Sequence, residues 1–224
     1  AVHSLKDLPT LLPDGIALAA VPEREDPRDV AVVRGAASLA SLPAGSRVAT
    51  ASLRRRAQLL ARFGGRLVVE EVRGNVETRL RFLDEGRFDA VVLARAGLRR
   101  LGLDARATEV LEPEFMLPAP GQGALGITAR SGEVGRVWHL THMPSYRTAI
   151  AERAVLRALG ANCQVPLGAY AEDLGGDVRL RAVVCGVDGA PRLDAEATGT
   201  PEAAGAKVAD DLIARGAKDL LGPA

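Results

Sequence analysis

Between residues 30 and 94, short apolar runs alternate with amphipathic stretches. Residues 30–33 predict a strand, 39–42 a helical turn stopped by Pro43, and 47–49 a second strand. A helix is expected over 52–63, closed by Gly64-Gly65, with Leu53, Ala57 and Leu60 at i, i+4, i+7 on one apolar face. Residues 67–72 predict a strand and 75–85 a helix ended by Gly86, with Val76, Leu80 and Leu83 as its apolar face. A further strand covers 88–94. Strands alternating with helices of this length predict an α/β unit with a largely parallel sheet.

The pattern changes after residue 117. Pro118, Pro120, Gly121 and Gly123 interrupt the chain before an apolar strand, as expected for a crossover between domains. A helix is then predicted over 145–159, strands near 165–171, 178–185 and 192–197, and a helix over 201–214. Successive strands bracketed by helices predict a small α+β domain with an antiparallel sheet.

Of the 224 residues, 47% are hydrophobic and 25% charged, the composition of a folded domain rather than a disordered chain. No apolar run approaches the roughly 18–20 residues of a spanning helix, so no membrane role is expected. Two cysteines do not make a disulfide framework, and with no basic-then-apolar leader the expected setting is cytoplasmic. The opening Ala1-Val2-His3-Ser4 reads as a chain entered in mid-domain.

The formal charge of +1 hides a strong asymmetry. Residues 47–106 hold 14 arginines against seven acids, a local +7; the remainder holds 15 basic and 21 acidic residues, −6. All but three basic residues are arginine, whose planar fork grips carboxylate or phosphate with two hydrogen bonds. A proteome-wide arginine bias would give the same count, so position has to decide.

Two strand-to-helix turns focus that charge. Thr50 and Ser52 occupy one, with Ser52 an N-cap candidate, and Arg73-Gly74-Asn75 occupy the next. Both fall at carboxyl ends of strands, where open α/β sheets bind ligands and helix N-termini favour anions. Arg54, Arg55, Arg73 and Arg79 are therefore expected around one anion site, against the alternative of a solvated charged face.

Cys163 lies in a predicted loop, where a thiol serves equally as nucleophile, attachment point or structural residue. Cys185 ends an apolar strand and reads as a small buried hydrophobe. Asp7, beside Lys6 before a proline turn, is a candidate catalytic carboxylate on a weak signal. His3, His139 and His142 lack metal-ligand spacing, and no metal is expected. No dinucleotide or Walker loop is present.

The strings AVHSLKDLP, EREDPRDV, TASLRRRAQL, VRGNVETRL, LARAGLRRLGL, LPAPGQGALGI and CQVPLGAY together resemble the porphobilinogen deaminase (hydroxymethylbilane synthase) family, collinearly over nearly the whole chain. The resemblance implies two α/β domains like periplasmic binding proteins and a small C-terminal α+β domain. Residues 1–28 and 117–137 would be what is present of the first, 29–116 the second and 138–224 the third. It implies a transferase that condenses four porphobilinogen molecules head to tail, releasing ammonia, on a dipyrromethane cofactor held by a thioether. Cys163 becomes the attachment point and Asp7 the catalytic carboxylate. Ser4, Lys6, Thr50, Ser52, Arg54, Arg55, Arg73 and Gly74 become cofactor contacts, and Arg79, Arg100 and Arg153 substrate contacts.

The implied chemistry agrees with the charge pattern. Each pyrrole unit carries an acetate and a propionate, so a growing chain in one cleft needs many forked cations. A carboxylate beside the pyrrole nitrogen would stabilise the cation left when ammonia departs, and could move protons. This chain departs from the family at Ala161-Asn162, where two glycines are usual, and at Ala51, which replaces a serine. The N-terminal part of the first domain is expected to be missing. A non-enzymatic anion-binding module of periplasmic-binding type is the main alternative. Nucleic-acid binding is disfavoured by 3% aromatic content, and a monomer is expected.

Overall fold

The computed structural model describes residues 1–161 and 165–221. In chain order the elements are β1 (Val2–Ser4), β2 (Ile16–Ala20), β3 (Asp29–Val33), β4 (Arg47–Ala49), α1 (Leu53–Phe63), β5 (Val68–Glu70), α2 (Val76–Asp84), β6 (Ala90–Ala94) and α3 (Arg95–Arg100). There follow β7 (Glu109–Leu111), β8 (Leu125–Arg130), α4 (Met143–Ala158), β9 (Leu167–Asp173), β10 (Val178–Cys185), β11 (Arg192–Gly199), α5 (Pro201–Ala214) and α6 (Ala217–Leu221). Short 3-10 turns at Leu39–Ser41 and elsewhere join them.

Three sheets result. The central one has the order β5-β4-β6-β3-β7. Strands β5, β4 and β6 run parallel, and β3 runs antiparallel to both β6 and β7. Four strands thus share one direction and β3 alone reverses it, which qualifies the expected largely parallel sheet. The reversal has a positional effect: Asp29, first residue of β3, pairs with Ala94, last of β6. An acid is thereby brought to the sheet edge where β4, β5 and β6 end. Strands β3 and β6 are apolar runs because both faces are covered, one by the cluster around Leu59, Leu67 and Met116, the other by Leu80, Leu83 and Leu98.

Helix α2 buries Leu80 and Leu83 and half-buries Val76, as its periodicity predicts. Helix α1 does not follow its pattern. Ala57 is buried, but Leu53 is 40% exposed while Arg54, Arg55 and Gln58 are inside. The reason is polar: Asp29 and the Leu117 carbonyl lie under this helix and require donors.

The second sheet, β1-β8-β2, is antiparallel throughout, with a register shift in β2 between Leu18 and Ala20. The third, β11-β10-β9, is an antiparallel meander covered by α4 and α5 around Val155, Leu180 and Leu212. Helix α5 approaches α4 closely at Gly205, where a Cβ would stand 2.5 Å from that of Ala154. No helix among the described residues is long and apolar enough to cross a membrane.

Candidate active site

A cleft of about 650 Å³ opens where four segments meet. One wall is the turn following β1, carrying Lys6 and Asp7. The facing wall is the first turn of α1 (Ser52 to Arg55) with Glu71, Arg73 and Arg79 from the turn after β5 and the start of α2. Ala119, Pro120 and Gln122 contribute from the crossover, and Leu156, Val165 and Leu167 from the third sheet and α4. Five cations (Lys6, Arg54, Arg55, Arg73, Arg79) face two carboxylates (Asp7, Glu71), so the lining carries a formal +3.

Local sequence explains the wall. Ser52 caps α1, its Oγ accepting from Arg55 N at 3.5 Å, and Asn75 caps α2, accepting from Thr78 N at 2.8 Å. Thr50 is buried behind the first turn and accepts from Ser52 N at 3.2 Å, shaping the turn instead of lining the cleft. Gly74 sits at φ +118°, where a Cβ would meet Thr78 Cγ2 at 2.9 Å, so only glycine fits between Arg73 and the cap.

The floor is an ion network that was not anticipated. Asp29, fully buried, accepts from Arg54 Nη1 at 2.6 Å and from Arg55 Nη2 at 2.7 Å. Burial pushes its carboxyl upward, but the two guanidiniums outweigh this and hold it below the usual carboxylate range. Arg54 also donates to the Leu117 carbonyl and Arg55 to that of Val92, so both arginines are partly committed to the fold. Arg54 Nε is buried with no acceptor among the described residues. Burial and the like charge of Arg55 both work against the Arg79 guanidinium. Its Nε donates to the Gly74 carbonyl, and its terminal nitrogens have no protein acceptor among the described residues. Arg73 is exposed and pairs with Glu71 at 2.8 Å.

Lys6 is half-buried. Burial, the Arg55 charge and, less strongly, Arg54 lower its ammonium to about 8 against the opposing pull of Asp29 and Asp7. Asp7 is exposed at the cleft mouth. The lining thus presents net positive charge suited to anionic groups, with a carboxylate of its own at the rim.

Matching family models cover most of the chain: "Porphobilinogen deaminase, dipyromethane cofactor binding domain" over residues 1–135 and "Porphobilinogen deaminase, C-terminal domain" over residues 146–214. The chain belongs to the porphobilinogen deaminase family. A porphobilinogen deaminase from Gloeobacter violaceus is 52% identical over 231 residues, covering 99% of this chain and 70% of that one. One from Ralstonia nicotianae is 51% identical over 231 residues (99% and 69%). Solved structures overlap loosely: lipoprotein Tp32 from Treponema pallidum at 19% identity and TM-score 0.36, over 54% of this chain and 57% of that one. A periplasmic sulfonate-binding protein, SsuA, from Methylobacillus flagellatus gives 16% and 0.31, over 65% and 43%. Overlaps that loose carry no argument.

Within the family frame, the cleft gathers Lys6, Asp7, Ser52, Arg54, Arg55, Arg73 and Arg79. Ser4, Thr50 and Gly74 are not among its lining residues; Thr50 is buried and Gly74 is exposed in the turn before α2. Arg100 donates to the Gly123 carbonyl at 2.9 Å, and Arg153 donates to the carbonyls of Leu8, Pro9 and Thr10, so both hold backbone next to the cleft. Cys163 and Asn162 lie outside the described residues; Val165, two positions after Cys163, lines the cleft. Cys185 is fully buried, with burial pushing its thiol up to about 11, as a structural cysteine requires. Sequence reasoning missed Asp29, Gln122 and Glu71. Asp29 had one signal, an acid opening an otherwise apolar strand.

Proposed function

We propose that this cleft holds the dipyrromethane on Cys163 and is where porphobilinogen units are joined head to tail, with loss of ammonia, to give hydroxymethylbilane. The observation that carries the assignment is the convergence of five cations and Asp7 in one cleft, beside a chain segment leading to Cys163. A dipyrromethane carries four carboxylates. The residues fit it, because Arg54 Nε is a buried donor without an acceptor and Arg79 keeps its terminal nitrogens free among the described residues. When bound, the cofactor supplies the primer to which units are added.

The protein's own groups divide the work. Arg54, Arg55, Arg73 and Lys6, with Ser52 and the N-terminal turn of α1, bind the primer's acetates and propionates. Arg79 takes an incoming unit. Arg100 and Arg153 act by fixing the Gly123 turn and the Leu8–Thr10 backbone next to Asp7. Asp7 stabilises the cation left when ammonia departs and accepts the proton lost as the new carbon–carbon bond forms. Ser4, Thr50 and Gly74 support the turns. The three sheets favour a division into residues 1–28 with 117–137, 29–116 and 138–224. A monomer working in the cytoplasm suits the small substrate and the absence of a disulfide framework in the sequence.

Intact-protein mass spectrometry tests the assignment: a two-pyrrole adduct is expected on Cys163 and none on Cys185. An unmodified Cys163 in active enzyme would sink the covalent claim. Asp7→Ala is expected to abolish ammonia release from porphobilinogen while the adduct remains, and normal turnover in that variant would remove Asp7 from the mechanism.

A further inference from the structure

The crossover turn Gly121-Gln122-Gly123 is held with unusual tightness. Gly123, at φ +85°, leaves no room for a Cβ, which would stand 2.3 Å from the Glu25 carbonyl oxygen. Arg24 Nε donates to the Gln122 carbonyl at 2.8 Å, Glu152 accepts from Gly121 N at 2.7 Å, and Arg100 donates to the Gly123 carbonyl. The Gln122 side chain is fully buried. Its amide nitrogen donates to the Pro27 carbonyl at 2.7 Å and to Asp29 Oδ1 at 2.8 Å. Both acceptors fix which end of the amide is nitrogen, and so direct the oxygen at Lys6 Nζ, 3.4 Å away.

We propose that Gln122 is a positioning residue: its locked amide oxygen holds the Lys6 ammonium in the cleft, ready for a carboxylate of the bound chain. It is the only side-chain acceptor of Lys6 among the described residues. The charged groups facing Lys6 are Asp7 on its own turn, Arg54 and Arg55 from α1, and Asp29 from β3. The arginines oppose protonation and are themselves tied to Asp29. A neutral oxygen held at a fixed point therefore keeps the lysine charged without adding a carboxylate that would compete with the ligand. The kinetic part of this inference rests on the function proposed above; the placement of Lys6 does not.

With only three lysines in the chain, Lys6 can be followed by NMR in protein carrying isotopically labelled lysine, assigned by Lys6→Arg. Gln122→Leu is expected to weaken proton binding at Lys6 by about tenfold, as loss of one hydrogen bond to a charged group implies. Gln122→Glu keeps an oxygen there but loses the donor to Asp29, and is expected to bind the proton at least as tightly as the native protein. If Gln122→Leu does not fold, Gln122→Glu carries the test, and weaker proton binding in it overturns the proposal. An unchanged Lys6 titration in Gln122→Leu also overturns it. In the kinetic arm, Gln122→Leu lowers kcat/KM for porphobilinogen about tenfold in the native background and leaves it unchanged in a Lys6→Met background. Equal losses in both backgrounds would mean that Gln122 is only a structural pin. If no ammonia is released at all, the proposed function fails while the titration still decides the role of Gln122.

Discussion

Glu152 is a fully buried carboxylate outside the cleft with four hydrogen bonds, and replacing it by alanine should cost the protein much of its stability. Its side chain is fully buried in α4 and forms a forked pair with Arg24, at 2.7 Å and 3.0 Å, while also accepting from Gly121 N at 2.7 Å and Ala171 N at 2.9 Å. One carboxylate thus joins α4, β9, the crossover turn and the segment after β2. Arg24 has a side chain only 9% exposed, so truncating Glu152 leaves a buried cation and two backbone donors without their acceptor. Breaking a buried pair from one side costs about 3–5 kcal/mol. For a chain of this size, about 4 kcal/mol corresponds to a fall in Tm of roughly 8–16 °C. Scanning calorimetry on the native protein, Glu152→Ala, Arg24→Leu and the double variant would measure it. The double variant is expected to lose much less than the sum of the singles, because it leaves no orphaned charge. A single-variant loss below about 1 kcal/mol, or additive losses, would refute the argument.

Other outcomes follow from the same geometry. Asp29→Asn should unfold more easily in denaturant above about pH 5, and its deficit should shrink as the pH falls below about 4. The sign is set by the depressed carboxyl, whose contribution is present above its unfolded value and is lost as pH falls through its folded one. Gly123→Ala should lower stability by about 1–3 kcal/mol through the clash with the Glu25 carbonyl and the positive φ, read by denaturant titration. Sulfate should compete with porphobilinogen, raising KM with kcat unchanged, and Arg79→Ala should weaken that competition several-fold. Disrupting Arg153, which ties α4 to the backbone after Asp7, should lower kcat with the cofactor mass adduct retained.

Much of the fold was legible because its long elements obey single rules. The cap Ser52, the face of α2, and the runs forming β6 and β10 need only local information. Short strands were read unevenly: β4 was read at 47–49 and β5 was predicted too long, while β1 and β7, with three positions each, and the longer β2 went unpredicted. Helix α3 was hidden among arginines. The cleft was half legible: the two turns and their four arginines were found, but their partners were not. Arg54 and Arg55 read as ligand-facing because Asp29 lies 25 residues before Arg54 in sequence and meets them only through the reversed strand β3. Gln122 looked like a turn residue between glycines, since its amide partners come from Pro27, Asp29 and Lys6 on other segments.

The chain crosses between the β1-β8-β2 sheet and the central sheet twice, outward through the residues after β2 and back through those before β8. The two segments are strapped together, since Gln122 on the return segment donates to the Pro27 carbonyl and to Asp29 at the end of the outward one, and Glu25 N donates to the Gly123 carbonyl. The two bodies are thus joined by a double band whose segments are bonded to each other. Gln122 and Asp29 sit on that band, and Lys6 and Arg54 meet them from opposite bodies. The seam that ties the two sheets together is therefore made of the same residues that set the charge of the cleft floor.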